Sequence, residues 1–281
     1  DWINHKWRNK QEVAQANITV LKAGYYFGET SELIPNRFHV ERARTPKGLY
    51  RKITGNEALA LGFVAGTQCA QIDLVYGSYP ITPASDILHN LAALRHFGVR
   101  TFQAEDEIAA MGATVGAAFG GAFAVTASSG PGVALKSEAL NLGLALELPM
   151  VLIDVQRGGP STGLPTKTEQ SDLLMALFGR NGEAPLPVLA ACSPGDCFNT
   201  AIEAFRFAVR ASCPVMLLSD GYLGNSSEPW QIPDPSKMEP IKVEHPTQVE
   251  GEEFLPYARD PETGVYVGAT EMRKDGQASG Y

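Results

Sequence analysis

At 281 residues the chain is long enough for one or two domains with a sizeable core, and 44% hydrophobic and 19% charged residues is the composition of a globular protein. A net charge of −8 excludes a general nucleic-acid binder. Four scattered cysteines (Cys69, Cys192, Cys197, Cys213) with no C-x-x-C pair exclude an iron–sulfur cluster or structural zinc held by this chain alone, and suit reduced thiols in the cytoplasm.

Residues 1–45 read as an appendage. The polar, aromatic start is no signal peptide, and the absence of an initiator methionine is expected of an excerpt. From Lys10 to Gly24, apolar Val13, Ala16, Val20 and Ala23 recur at helical spacing and predict an amphipathic helix stopped at Gly24. Asn36 to Gly48 is basic and irregular, as a linker would be.

From residue 46 to 233 strand-like and helix-like segments alternate. Asn56–Ala70 predicts a helix with Gly62 and Gly66 spaced for close packing, and Asp73–Gly77 a short strand. The two prolines of Tyr79-Pro80-Ile81-Thr82-Pro83 forbid regular structure there. Ala84–Phe97 predicts a helix and Val99–Gln103 a strand. Ile108 to Leu135 carries no charge, but it is rich in Ala and Gly and is broken by Ser128-Ser129-Gly130-Pro131-Gly132, so it reads as helix, strand and helix, not a membrane span. Gly112, Gly116 and Gly120 share one helix face at about 1 kcal/mol each relative to Ala, which predicts a second backbone approaching that face. Pro149–Val155, apolar except for Asp154, predicts a strand buried on both faces. Gln170–Phe178 and Asp196–Ala211 predict helices, and Val188–Ala191 and Pro214–Ser219 strands. The pattern is that of an α/β domain, a doubly wound and mainly parallel sheet flanked by helices. Residues 234–281, rich in Pro, Glu and Gly, read as a linker or the start of a further domain.

In such a sheet, ligands sit beyond the carboxyl ends of the strands. Ser78–Pro83, Ala104–Glu107, Ser128–Gly132 and Gln156–Thr168 fall there and predict one crevice. Glu107 is either a solvated acid favoured at a helix N-terminus or, bordered by Ile108, Ala109 and Ala110, a carboxyl able to share a proton. Arg157 is either half of a surface salt bridge or a bidentate clamp for a carboxylate or phosphate. The Ser-Ser-Gly-Pro-Gly turn is a phosphate nest or a helix start with Pro131 at the first helical position, and Ser129 and Gly130 can line a flat ring. No P-loop, G-x-G-x-x-G or G-x-S-x-G motif occurs, and the five histidines lack metal-ligand spacing.

The segments GSYPITPASDIL, FQAEDEIAAMGA, SSGPGVALKSEALNLG, DVQRGGPSTGLPTKTEQSDLL, FGRNGEAP and LLSDG, in unbroken order over residues 50–233, resemble the alpha subunit of 2-oxoacid:ferredoxin oxidoreductases, most of all the 2-oxoglutarate type. The resemblance implies the pyrimidine-binding half of a thiamine diphosphate site, used in CoA-dependent oxidative decarboxylation of a 2-oxoacid with electrons passed to ferredoxin. It implies Glu107 as the catalytic acid at N1′ of the aminopyrimidine, Thr82 and Arg157 as substrate-binding residues, and Pro80, Glu107, Ser129 and Gly130 against the cofactor. Arg157 would hold the 1-carboxylate. A beta subunit would bring Mg²⁺ and a [4Fe-4S] cluster in an (alpha-beta)2 assembly. Ser219-Asp220-Gly221 only superficially resembles the Gly-Asp-Gly motif of a diphosphate-binding half. The Gly112/Gly116/Gly120 face and the helix near Asn56 are expected in the partner contact. Residues 1–45 resemble the end of a fused gamma domain, and residues 253–264 the connection to a later domain, with departure from the pattern beyond Val265. A catalytically silent assembly subunit and a transketolase- or decarboxylase-type component are the alternative readings, and pyruvate or a branched-chain 2-oxoacid the alternative substrates.

Overall fold

The computed structural model describes residues 1–32, 36, 38–243 and 261–262. Most of the expected linker at 234–281 therefore lies outside the described residues, apart from a short 3-10 turn at Pro235–Lys237. The chain divides into two compact units, residues 1–47 and 48–281.

The first unit holds helices α1 (Trp2–Lys6) and α2 (Gln11–Thr30). The second runs past the Gly24 stop that the sequence predicts. A glycine weakens a helix by about 1 kcal/mol but blocks nothing, and no proline or chain reversal supplies a stop before Ser31.

The second unit is built on β2 (Leu74–Ser78), β3 (Val99–Gln103), β4 (Phe123–Ser128), β5 (Met150–Gln156), β6 (Val188–Ala190) and β7 (Pro214–Asp220). They form one sheet in the order β3-β2-β4-β5-β7-β6 with every neighbour parallel. Strands β4, β5 and β7 are buried along their whole length, because helices cover both faces. Side chains alternate along β5: Val151, Ile153 and Val155 enter one core, Met150 and Leu152 the other.

The first core is closed by α3 (Gly55–Ala70), α4 (Ser85–Ala93) and α8 (Asp196–Ala211). At its centre Phe123 stacks on Phe63 and meets Phe205 edge-on, with centroids 6.3 and 4.4 Å away. The second core is closed by α5 (Glu107–Phe119), α6 (Gly130–Ala145) and α7 (Leu173–Phe178). Helices α4 and α7 are shorter than the sequence suggests. The first gives way to a 3-10 turn at Arg95–Phe97 before Gly98, held at φ +79°, and the second starts only after Asp172.

Gly62 and Gly66 do serve close packing, and the approaching element is α8. A Cβ on Gly62 would stand 2.5 Å from the Phe198 carbonyl oxygen, and one on Gly66 3.3 Å from the Phe205 ring. The helix near Asn56 is thus a central core element covered by its own chain, not a surface left for a partner. Three elements of this unit have no sequence precursor: β1 (Tyr50–Thr54) and β8 (Ser227–Gln231) pair antiparallel as a separate ribbon, and α9 (Gly221–Asn225) follows β7. The ribbon lays Trp230 against Phe198 at 5.1 Å.

After β2 the chain crosses to one side to make β3 and to the other to make β4. The reversal opens a crevice beyond the carboxyl ends of β2 and β4.

Candidate active site

Beyond β3 the chain turns through three acids with three different positions. Glu105 is exposed. Asp106 is extended at φ −156° and its Oδ1 accepts the Ala109 N–H at 2.7 Å, so it is the N-cap of α5, a contact of about 1 kcal/mol. Glu107 is the first helical residue and half-buried. The apolar neighbour expected beside it, Ile108, faces outward at 57% exposure. The Glu107 side chain instead lies along the first turn of α6, where a Cβ on Gly132 would stand 2.9 Å from its Cγ and 3.1 Å from its Oε1 and would overlap Ser128 Oγ. Only a glycine at position 132 admits the carboxyl there.

Two further features hold α5 in place. Gly77 in β2 lets the helix approach the sheet, since a Cβ there would stand 2.7 Å from the Ala110 carbonyl oxygen. Lys136, fully buried on α6, donates from Nζ to the Glu107 carbonyl oxygen at 3.2 Å and to Thr126 Oγ1 at 3.1 Å. Burial lowers the Lys136 ammonium to about 8, against the opposing pull of Glu107 and Asp106.

The Ser128–Gly132 turn is a helix start, with Pro131 the second residue of α6 rather than the first. Ser129 stands at the N-cap, yet its hydroxyl caps nothing; Ser128 Oγ and Ser129 Oγ are both buried without a partner. An unpaired buried hydroxyl costs about 1–3 kcal/mol, a cost that a polar ligand arriving in the crevice would remove.

Arg157 follows β5 and is 7% exposed. It is not half of a surface salt bridge: no carboxylate pairs with it among the described residues. Its Nη1 donates to the Thr82 carbonyl oxygen at 2.6 Å and its Nη2 to that of Thr162 at 2.7 Å, while Nε is buried and unpartnered. The guanidinium braces two loops, each with a cis proline peptide (Thr82–Pro83 and Gly159–Pro160). One N–H on each Nη and the Nε–H remain after these bonds, three donors for an incoming acceptor. Thr82 and Pro80 are exposed on the first loop, and Asn56 Nδ2 holds that loop from below through the Pro83 carbonyl oxygen at 2.9 Å.

The residues expected at the site thus fall into two sets, Glu107 with the 128–132 turn and Thr82 with Arg157. Asp172 ties them together. Its Oδ2 lies 2.7 Å from where a Cβ on Gly130 would stand, and its N–H donates to Gln156 Oε1 at 3.0 Å, one residue before Arg157. Asp220 is engaged elsewhere. Its Oδ1 caps α9 through the N–H groups of Tyr222 and Leu223, and its Oδ2 accepts from Gln170 Nε2 at 2.6 Å. No group of three or more His, Cys, Asp or Glu among the described residues is placed to hold a metal ion. No helix among them is long and apolar enough to cross a membrane. A cavity of about 550 Å³ lies at the opposite, amino-terminal edge of the sheet, lined by Phe123, Pro149, Arg206 and Arg210 among others, away from this crevice.

Sequence reasoning missed Gly132, Lys136, Asp154 and Asp172. Two left a signal: Lys136 is the first charge after the uncharged Ile108–Leu135 run, and Asp154 is the one acid in an apolar strand. The crevice offers a carboxyl, two unpartnered hydroxyls and the open backbone of a glycine-rich helix start. This donor and acceptor set fits the edge and face of a small flat heterocycle.

The family described as pyruvate flavodoxin/ferredoxin oxidoreductase, thiamine diphosphate-binding, matches residues 68–278. A 2-oxoglutarate oxidoreductase subunit KorA of Mycobacterium tuberculosis is 58% identical over 262 residues, 93% of this chain and 40% of that protein. A 2-oxoglutarate synthase subunit KorA of Archaeoglobus fulgidus is 39% identical over 201 residues, 71% of this chain and 56% of that one. The chain therefore spans about half the length, or less, of these relatives. The solved 2-oxoglutarate:ferredoxin oxidoreductase from Magnetococcus marinus with 2-oxoglutarate, coenzyme A and succinyl-CoA bound superposes with a TM-score of 0.77 at 34% identity, covering 89% of this chain and 42% of that one.

Proposed function

Because the chain belongs to the pyruvate flavodoxin/ferredoxin oxidoreductase thiamine diphosphate-binding family, we propose that it supplies the pyrimidine half of the active site in a 2-oxoacid:ferredoxin oxidoreductase acting on 2-oxoglutarate in the cytoplasm. The observation that carries this reading is the placement of Glu107, whose carboxyl lies along the first turn of α6 beside the unpartnered Ser128 hydroxyl. When bound, thiamine diphosphate supplies a carbon nucleophile and an electron sink for the 2-oxoacid. Glu107 holds the proton at N1′ of the pyrimidine, and Lys136 fixes the backbone from which that carboxyl projects. Pro80, Ser129 and Gly130 line the ring. Thr82 and the three remaining donors of Arg157 bind and orient the substrate, the guanidinium taking its 1-carboxylate.

The other half of the site belongs to a beta subunit. It brings Mg²⁺ and a [4Fe-4S] cluster, passes electrons to ferredoxin while coenzyme A accepts the acyl group, and completes an (alpha-beta)2 assembly. The α5 and α6 surface supports such a partner: among the described residues a Cβ on Gly112 or Gly116 would meet nothing within 4 Å beyond the helix's own nearby backbone, and Ile108, Leu135 and Leu142 are exposed on the same two helices. Residues 1–45 are then the end of a gamma-like domain, and residues 46–233 the cofactor domain. Purification under anoxic conditions tests the whole reading. A cysteine-bearing partner should come down with the chain, and the pair should reduce ferredoxin with 2-oxoglutarate and coenzyme A. A preparation that binds thiamine diphosphate at micromolar level without any partner would overturn the split site.

A further inference from the structure

Asp154 is completely buried on β5, on the α5/α6/α7 side of the sheet by its alternation with Leu152. No N–H or O–H of the described residues reaches either of its carboxyl oxygens. Its side-chain hydrogen-bond neighbour is a second acid, Asp172, which also has a buried oxygen, Oδ2, without a donor. Two ionised carboxylates repel, so this contact is a bond only while a proton lies between them.

The geometry points to Asp154 and Asp172 as positioning residues: one proton shared by their carboxyls clasps the end of the 157–172 loop to the sheet. The loop is a closed unit of its own. Gly158 N–H donates to the Lys167 carbonyl oxygen at 2.8 Å, Leu164 N–H to that of Gly158 at 2.7 Å, and Gly159 N–H to Glu169 Oε2 at 2.9 Å. Arg157 attaches this unit at its start, and Gln170 and Asp172 attach it at its end. Releasing Asp172 frees the wall against Gly130 and loosens the frame that aims Arg157. That this wall borders a cofactor rests on the function proposed above, whereas the clasp itself does not.

Burial, and then the charge of Asp172, hold Asp154 well above the ordinary carboxylate range, so Asp154 carries the proton and Asp172 accepts it. Asp172 is also raised, by burial first and by Glu169 in addition. Of the other charged groups near the pair, Asp220 caps α9 and holds Gln170, Lys136 is bound to the Glu107 carbonyl oxygen and Thr126, Arg157 is bound to Thr82 and Thr162, and the Glu107 carboxyl lies beside Gly132 on the first turn of α6. A raised acid favours the fold below its unfolded value and loses that contribution as pH climbs through its folded value, so the clasp opens on the alkaline side.

Amide hydrogen exchange on the intact protein, corrected for the intrinsic pH dependence of exchange, reads the clasp directly. From about pH 6 to about pH 9.5 the 158–172 segment of wild type should lose about tenfold in protection, the size of one charge-assisted hydrogen bond. Asp154→Asn donates to Asp172 from an amide that does not titrate, so protection should persist and become flat with pH. Asp172→Asn, at the half-buried member of the pair, should flatten the profile in the same way and guards against a folding failure at Asp154. A wild-type profile already flat, or asparagine variants that open like wild type, would overturn the proposal. So would protection that rises with added sodium, potassium or calcium at constant pH, which would put a cation where the proton is proposed. Exchange needs no turnover, so this result stands or falls apart from the thiamine reading.

Discussion

Lys136 donates its Nζ hydrogens to the main-chain oxygen of Glu107, 29 residues earlier in the chain, from a position with no solvent exposure. Its ammonium form is disfavoured in the fold, at about 8, and not in the open chain at 10.5. The unfolded state therefore binds more protons across that window, and stability rises with pH there. Between about pH 7.5 and about pH 9.5 wild type should gain about 2 kcal/mol of stability that Lys136→Met does not, measured as the difference between their denaturant midpoints. Parallel pH profiles for the two proteins would show that the lysine is already neutral or hydrated.

Glu107→Gln changes one carboxyl oxygen to an amide and keeps the volume beside Gly132. Folding and assembly should be unchanged. Exchange of the thiazolium proton in the assembled enzyme should slow by about 10²-fold or more, the usual worth of a positioned acid–base group. Wild-type exchange in this variant would remove Glu107 from the chemistry.

Two glycines on neighbouring helices should respond in opposite ways. A methyl at Gly132 would overlap Ser128 Oγ and press on Glu107 Cγ. Gly132→Ala should lower stability by about 1–3 kcal/mol, as overpacked sites do, and displace the Glu107 carboxyl. Among the described residues a methyl at Gly112 meets nothing within 4 Å beyond the helix's own nearby backbone. Gly112→Ala should leave thermal stability unchanged or raise it by up to about 1 kcal/mol through helix propensity. Its effect should appear in association with the proposed beta subunit, measured by sedimentation of mixed subunits; unchanged association would free the α5 face from the proposed interface.

Arg157→Lys keeps the charge but cannot span the Thr82 and Thr162 carbonyl oxygens and still present donors to a ligand. The Michaelis constant for the 2-oxoacid should worsen by about 1.5–3 kcal/mol, the worth of a charge-assisted contact, with thiamine diphosphate retention intact. An unchanged Michaelis constant with weakened cofactor retention would leave Arg157 as a loop brace alone.

Much of this organisation is legible in the chain itself. A strand covered on both faces must be apolar at every position, which is why Pro149–Val155 reads as β5 and why its one exception, Asp154, stands out. An amphipathic helix must repeat near every third or fourth residue, which is why α8 can be read to the residue as Asp196–Ala211. A parallel sheet must present its loops at the carboxyl ends, which brings Glu107, Ser129 and Arg157 under suspicion before any fold is seen.

The identity of each contact was decided only by the tertiary structure. Gly62 announces that something packs closely, but only the fold makes it Phe198. Arg157 announces a fork of donors, but two are taken by carbonyl oxygens, one of them 75 residues away at Thr82. Asp154 announces a buried acid, but its partner Asp172 lies across a loop whose path no local pattern encodes. Periodicity and composition act on neighbours along the chain and set which surfaces must be buried. Which two groups meet across the crevice depends on how whole helices and loops settle against the sheet, and that is a property of the packed molecule.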